Sequence, residues 1–333
     1  MTPTPMPPAP ARVSVVVPCR NGAPYVDEAL ASVRAQTRTP LEVIVVDDAS
    51  SDDSPGVIAA WSAAHPDGPP VRLLRHERPR GAAAARNTGI EEARGDVIAF
   101  LDADDRWAPE HLAVAVGLLD AHPEAVLAAT HARAFGNADY PWRHQIEGEG
   151  PRNVFWSALA DWIVLPSATA VRATALHETR GFREDAVGAE DYELVLRLAH
   201  RWPFVGAEAE SVGWRKHARQ QSARPDVQRR ALRRLQARFV AAMRGVAGRR
   251  ELARMCDVAL RTWWRAMRDA DGPAARTALL TEGRQLAALP GSWVWRLRLW
   301  MLLGAAHLRH RTARLREAYA LARRTLVPGR VRH

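Results

Sequence analysis

Gly95 to Asp105 reads GDVIAFLDADD, a short apolar run that ends in three carboxylates. Asp96 to Asp102 is bounded by turn residues, and its length and β-branched content suit a buried parallel strand rather than a helix. Three earlier runs have the same character: VSVVV (Val13 to Val17), EVIVVD (Glu42 to Asp47) and VRLLR (Val71 to Arg75). Between them, Pro24 to Ala35, Asp53 to Ala64 and Arg80 to Ala93 have helical composition with Pro, Asp or Gly near their starts. Repeated units of this kind predict a doubly wound α/β sheet with right-handed crossovers. In such sheets the ligand crevice lies at the carboxyl ends of the strands, so the chemistry is expected there.

The residues that follow each strand fit that expectation. The first strand runs into Pro18-Cys19-Arg20-Asn21-Gly22, the second into Asp47-Asp48-Ala49-Ser50 and the fourth into Asp102-Ala103-Asp104-Asp105. Two carboxylates two residues apart, as in Asp102 and Asp104, address one hard divalent cation, Mg²⁺ or Mn²⁺, or a water in its shell, and such a cation bridges a diphosphate. An alternative use for Asp102 and Asp104 is to cap a helix starting near Pro109. The convergence of three polar clusters on one sheet edge favours the ligand site.

The segments VSVVVPCRNG, ASVRAQT, LEVIVVDDASSDDS, GAAAARNTGIEEARGDVIAFLDADDRWAPEHL and GFREDAVGAEDYELVLRLA, in this order between Arg12 and Ser222, resemble glycosyltransferase family 2. The resemblance implies a GT-A, Rossmann-like mixed and mainly parallel sheet flanked by helices, which binds a nucleotide-diphospho-sugar. It further implies that Pro18, Arg20 and Asn21 line the base and that Asp47 or Asp48 accepts from base or ribose. Arg86 and Asn87 would reach the nucleotide, the guanidinium offering a rigid fork to carbonyl or phosphate oxygens. Asp102 and Ala103 would lie along ribose and metal-bound water, and Asp104 would ligate the metal. His217 would complete the metal shell or touch the diphosphate, with Arg215 and Lys216 as alternative phosphate holders. An inverting displacement needs a carboxylate to take the acceptor hydroxyl's proton. The family's Glu-Asp pair stands at Glu190-Asp191, which implies Asp191 as base and Glu190 as its support.

Departures from the family pattern refine the expectation. Where many relatives carry an aromatic ring near the base this chain has Arg20, so stacking there would be cation-π in kind, with UDP the favoured nucleotide. Ala49 stands where glycine is usual and tolerates the turn unless a positive φ is required. The Gln-x-x-Arg-Trp element of processive synthases is absent, which favours transfer of a single sugar. The aromatic-rich segment His131 to Trp162, with Tyr140, Trp142, Trp156 and Trp162, reads as variable and leaves the acceptor, whether saccharide or lipid-linked, unnamed.

With 333 residues, the chain is long enough for one α/β domain and a smaller unit. The expected division is a disordered, proline-rich lead-in over 1–11, a catalytic domain over 12–220 and an Arg-rich helical region over 221–333. Two distant cysteines, Cys19 and Cys256, suit a reducing compartment, and the N-terminus lacks a secretory pattern, so a cytoplasmic location is expected. From Arg215 onward there are 28 Arg and Lys against 7 Asp and Glu, whereas the preceding part has 19 against 30. Trp293, Trp295 and Trp300 with Leu297, Leu299 and Leu302 suggest a basic amphipathic helix suited to an anionic membrane surface. A nucleic-acid-binding role leaves the carboxylate clusters unexplained. An oxidoreductase would need G-x-G-x-x-G after the first strand. A nucleotidyltransferase would carry a Gly-rich, basic signature there, and a non-catalytic relative would have lost Asp104 or Asp191.

Overall fold

The computed structural model describes residues 10–148, 150–218, 220, 225–243 and 246–268. The chain divides into two compact units, Met1–Gln228 and Arg229–His333. The first half of unit one runs β1 (Val13–Cys19), α1 (Val26–Arg34), β2 (Glu42–Asp47), α2 (Ser54–Ala64), β3 (Val71–Arg75), α3 (Ala82–Glu92) and β4 (Val97–Phe100). It continues with β5 (Arg106–Trp107), α4 (His111–Ala121), β6 (Leu127–Gly136), β7 (Tyr140–Trp142) and α5 (Phe155–Ala160). After a 3-10 turn at Pro166–Ala168 come β8 (Thr169–Arg172), α6 (Ala173–Thr179), α7 (Glu190–Arg201) and β9 (Phe204–Lys216). The last described helices are α8 (Pro225–Ala242) and α9 (Arg249–Arg268).

One mixed sheet has the order β3-β2-β1-β4-β8-β6-β9-β5, with β7 paired to β6. Strands β3, β2, β1 and β4 are parallel, as their alternation with helices predicts. Beyond β4 the doubly wound expectation gives way: β8 runs antiparallel between β4 and β6, and β6 is parallel to β9. The order reverses beside β1, since β2 lies on one side of it and β4 on the other. The carboxyl ends of β1 and β4 therefore form a switch point, where backbone diverges and leaves a crevice.

The core follows from composition. Val15, Val17, Val43, Val45, Val97 and Ala99 are buried against α1 and α4, including Leu30, Val33, Leu112 and Val116. The opposite face is set by close approach: a Cβ at Gly89 would lie 2.4 Å from Val16 Cγ1, so α3 sits directly on β1 only because this position lacks a side chain. In the second unit, Met255, Cys256, Ala259, Leu260 and Trp263 of α9 recur at helical spacing and are buried. Gln236 of α8 donates to Thr262 of α9 at 3.3 Å. The Trp293 to Leu302 segment lies outside the described residues, as does the lead-in before Pro10. No helix among the described residues is long and apolar enough to cross a membrane.

Candidate active site

Local sequence builds the crevice from four loops. After β1, Asn21 adopts φ 52°, a left-handed conformation that asparagine tolerates better than most residues. Its Oδ1 accepts from the Ser51 N–H at 2.8 Å, and its own N–H donates to Ser50 Oγ. The side chain is thus spent on joining the β1 and β2 loops. Ala49 also lies at φ 52°, so the turn does require the conformation in which glycine is at ease, and alanine bears a steric cost there.

The neighbouring carboxylates have different tasks. Asp48 accepts from the N–H groups of Arg80 and Gly81, each at 2.8 Å, and from His76 Nδ1 at 2.7 Å, while His76 Nε2 meets Thr88 Oγ1. Burial works against its charge, but these bonds outweigh burial and hold its pKa below the ordinary carboxylate value. It therefore anchors the start of α3. Asp47 is fully buried; its Oδ2 accepts from the Ser50 N–H and lies 3.4 Å from Arg75 Nε, whereas its Oδ1 has no protein partner. A buried acceptor without a donor is costly unless a ligand supplies one. Pro18 sits next to Cys19 at the end of β1, paired with Val46. Arg20, half-exposed, has its Nη1 3.9 Å from Asp48 Oδ2.

The acidic set lies after β4. Oxygens of Asp102, Asp104 and Asp105 can all lie within 4.8 Å of one another. They do not cap α4: its N-cap is Glu110, without a side-chain hydrogen bond. Asp105 is committed inward, accepting from Ser167 Oγ at 2.6 Å and from the Arg215 N–H at 2.9 Å. Asp104 meets His217 Nε2 at 2.9 Å, and the His217 ring lies 5.1 Å from that of Tyr25. Ala103 is buried between these acids, facing Gly22 across the switch point. Burial, then the charge of Asp102, raises the pKa of Asp104, with His217 offsetting part of the rise. Crowded carboxylates beside an imidazole suit a divalent cation, which would relieve the repulsion, so the residues fit such a group. Arg215 is engaged by Glu28 and by the Asp104 carbonyl at 2.8 Å. The Lys216 ammonium lies over the Trp214 ring, its pKa pushed down to about 8 chiefly by loss of water.

A single guanidinium links this set to α7. Arg86 is buried; its Nη2 donates to Asp102 Oδ1 at 2.6 Å and its Nη1 stands 3.6 Å from Glu190 Oε1. Its Nε and Nη1 make no hydrogen bond. Asn87 does not face this centre: its amide both donates to the Phe182 carbonyl and accepts the Phe182 N–H, bracing α3 against the loop before α7. Glu190 is likewise held, accepting the Gly188 N–H at 3.0 Å. Asp191 differs. Its Oδ1 accepts from Trp162 Nε1 at 3.1 Å and from the Tyr192 N–H at 2.7 Å, and no described donor reaches Oδ2. Burial, reinforced by the charge of Glu190, pushes its pKa up to about 6. Sequence reasoning missed Tyr25, Ser167, His76 and the placement of Trp162, because each acts through a contact distant in the chain.

The mixed sheet, with its switch point beside β1 and carboxylates at the strand ends, has the architecture of a GT-A fold. The family model for glycosyl transferase family 2 matches residues 14–180, and the chain belongs to that family. The chain is 35% identical over 107 residues to the Escherichia coli UDP-Glc:alpha-D-GlcNAc-diphosphoundecaprenol beta-1,3-glucosyltransferase WfgD, covering 32% of this chain and 40% of that protein. Its fold is similar to that of Staphylococcus aureus TarS 1-349 in complex with UDP-GlcNAc, with TM-score 0.64 and 17% identity over 84% of this chain and 82% of that one. It is also similar to the Pyrobaculum calidifontis mannosyltransferase PcManGT in complex with GDP-Man and Mn²⁺, with TM-score 0.51 and 22% identity over 97% of this chain and 87% of that one. Its matches span from 20% to 64% of the lengths of the curated relatives.

Proposed function

We propose that the chain is a metal-dependent, inverting glycosyltransferase that moves one sugar from a nucleotide-diphospho-sugar, with UDP the favoured nucleotide, to a hydroxyl of a saccharide or lipid-linked acceptor. The observation that carries this reading is the buried Arg86, whose guanidinium joins Asp102 to Glu190, the neighbour of Asp191, with Asp104 of the same acidic set paired to His217. The orphaned Asp47 Oδ1 suits an N–H of a base or a ribose hydroxyl, while Asn21, Arg20 and Pro18 build the wall around it. Asp102, Asp104 and His217 would hold Mn²⁺ or Mg²⁺, which supplies charge neutralisation at the diphosphate.

In the transfer step, Asp191 Oδ2 takes the proton of the acceptor hydroxyl as that oxygen forms its bond to the anomeric carbon. The bond from that carbon to the diphosphate oxygen breaks, and its electron pair leaves with the nucleoside diphosphate. A carboxylate whose pKa lies about 6 is ionised at neutral pH yet more basic than an ordinary aspartate, which suits a general base. Asp191 as a single base, with Glu190 tied to the Gly188 N–H and facing Arg86 and Asp102 bonded to Arg86, suits a direct, inverting displacement. Glu190 supports by holding the Gly188 loop and Arg86. Residues 12–220 form the catalytic part of this reading, and α8 and α9 belong to the region appended to it, of which residues 269–333 lie outside the described residues.

The lipid-linked acceptor draws support from the name of WfgD, whose substrate is a diphosphoundecaprenol. Peripheral contact with an anionic cytoplasmic membrane face belongs to the same reading. Arg230, Arg234 and Arg238 lie four residues apart along α8 and are exposed, and such a ridge attracts phosphate headgroups. The test is a panel of UDP-, GDP- and dTDP-sugars offered with and without Mn²⁺, followed by NMR of the anomeric configuration of the product. Turnover of one donor only with metal, with inverted configuration, is expected. Retention of configuration, or equal turnover in EDTA, would overturn the proposal.

A further inference from the structure

Trp162 is only partly buried. It follows α5 in the segment Asp161 to Leu165, where the next two residues, Ile163 and Val164, are buried while Trp162 keeps part of its surface open. Its indole N–H reaches Asp191 Oδ1 at 3.1 Å. The N–H of Tyr192 reaches the same oxygen at 2.7 Å. The tryptophan is itself held: its backbone N–H donates to Asp161 Oδ1, its ring lies 5.5 Å from the Tyr192 ring, and the Tyr192 hydroxyl donates to the Leu159 carbonyl at 3.0 Å. α5 and α7 are thereby locked together at the carboxylate.

We infer that Trp162 is the positioning residue of the general base, occupying Asp191 Oδ1 together with the Tyr192 N–H so that Oδ2 is the oxygen presented to the acceptor hydroxyl. The inference rests on Asp191 being the base. Chemically the choice of side chain is apt. An indole N–H is a donor only and does not titrate near neutrality, so it cannot compete for the transferred proton. Two donors on one oxygen fix the carboxylate plane and leave the other oxygen's lone pairs unshared, which converts a freely rotating acid into an aimed one. The donor also favours the ionised form, opposing the burial and the Glu190 charge that raise the pKa, and Arg86 acts in the same sense as the indole. Those charged neighbours, Glu190 and Arg86, are untouched by substitution at 162.

The test compares wild type, Trp162→Phe, Trp162→His and Asp191→Asn, using Mn²⁺ and the sugar nucleotide that the donor panel selects, with hydrolysis to water as the readout where no acceptor is in hand. Trp162→Phe keeps an aromatic ring and removes the donor. Its expected result is a fall in kcat of about tenfold with donor Kd unchanged by calorimetry, and a shift of the acid limb of the kcat/KM profile to higher pH. Trp162→His, which restores a ring N–H, is expected to recover part of kcat and of the pH shift, and it serves if the phenylalanine variant does not fold. Wild-type kcat and pH profile in Trp162→Phe would overturn the inference. So would equal losses in the two variants accompanied by weaker donor binding, because that pattern marks a merely structural brace. Full turnover by Asp191→Asn would instead sink the base assignment on which the inference stands.

Discussion

Asp47 and Asp48 are adjacent in sequence and opposite in use. Asp48 is filled by three donors and anchors α3, whereas Asp47 leaves one buried oxygen without a protein partner. A comparable split separates Glu190 from Asp191, the first tied to Gly188 and the second open at Oδ2. With its pKa raised to about 6, Asp191 loses its basic form as pH falls through that value. The kcat/KM profile is therefore expected to drop on the acid side near pH 6, and a plateau extending to pH 4.5 would be inconsistent with Asp191 as base. Ala49 bears a cost at φ 52° that glycine would not. Ala49→Gly is expected to raise stability by about 0.5–1 kcal/mol in urea unfolding, since relief of the left-handed strain exceeds the entropy lost by glycine.

At the scale of elements, α3 is the helix that joins fold and site. Gly89 lets it lie on Val16 of β1, Asp48 holds its start, and Arg86 and Asn87 project from its length to Asp102 and Phe182. Gly89→Ala would set a methyl 2.4 Å from Val16 Cγ1 and is expected to cost about 1–3 kcal/mol by thermal or urea unfolding. A neutral result would show that α3 can lift off the sheet without loss. The four parallel strands and their helices were legible because valine and isoleucine runs alternate with helical stretches. Strand β6 was not: LAATHARAFG is rich in alanine and poor in β-branched residues, so only its pairing with β8 and β9 makes it a strand. Asp47, Asp48, Asp102 and Asp104 stood out by their place after strands, whereas Glu190 and Asp191 stood out only by the family resemblance. Ser167 and Trp162, which bond Asp105 and Asp191, and Tyr25, which lies against His217, come from connections between strands and helices that pattern alone does not align with the strands.

On the scale of the whole molecule, the first unit sets neutral histidine into its centre. His111 is buried, stacked on Trp107 and bonded to Ser211 Oγ at 2.9 Å, and burial pushes its pKa down to about 3. Between about pH 6.5 and 3 the unfolded chain therefore binds a proton at this residue that the folded one does not, so the contribution of a neutral His111 is present above 6.5 and is lost as pH falls. The destabilisation caused by His111→Gln is expected to shrink by about 2 kcal/mol between pH 7.5 and 5. An unchanged difference across that range would contradict the neutral assignment. The central claim is that one crevice divides its labour between a metal-binding Asp104 and a proton-accepting Asp191. The measurement that tests it most directly is calorimetric donor binding in Mn²⁺ alongside turnover, for wild type, Asp104→Ala and Asp191→Asn. The account predicts that Asp104→Ala loses metal-dependent donor binding, while Asp191→Asn binds the donor as wild type does and turns over at least a hundredfold more slowly. Wild-type turnover in Asp191→Asn, or undiminished metal-dependent binding in Asp104→Ala, would contradict it.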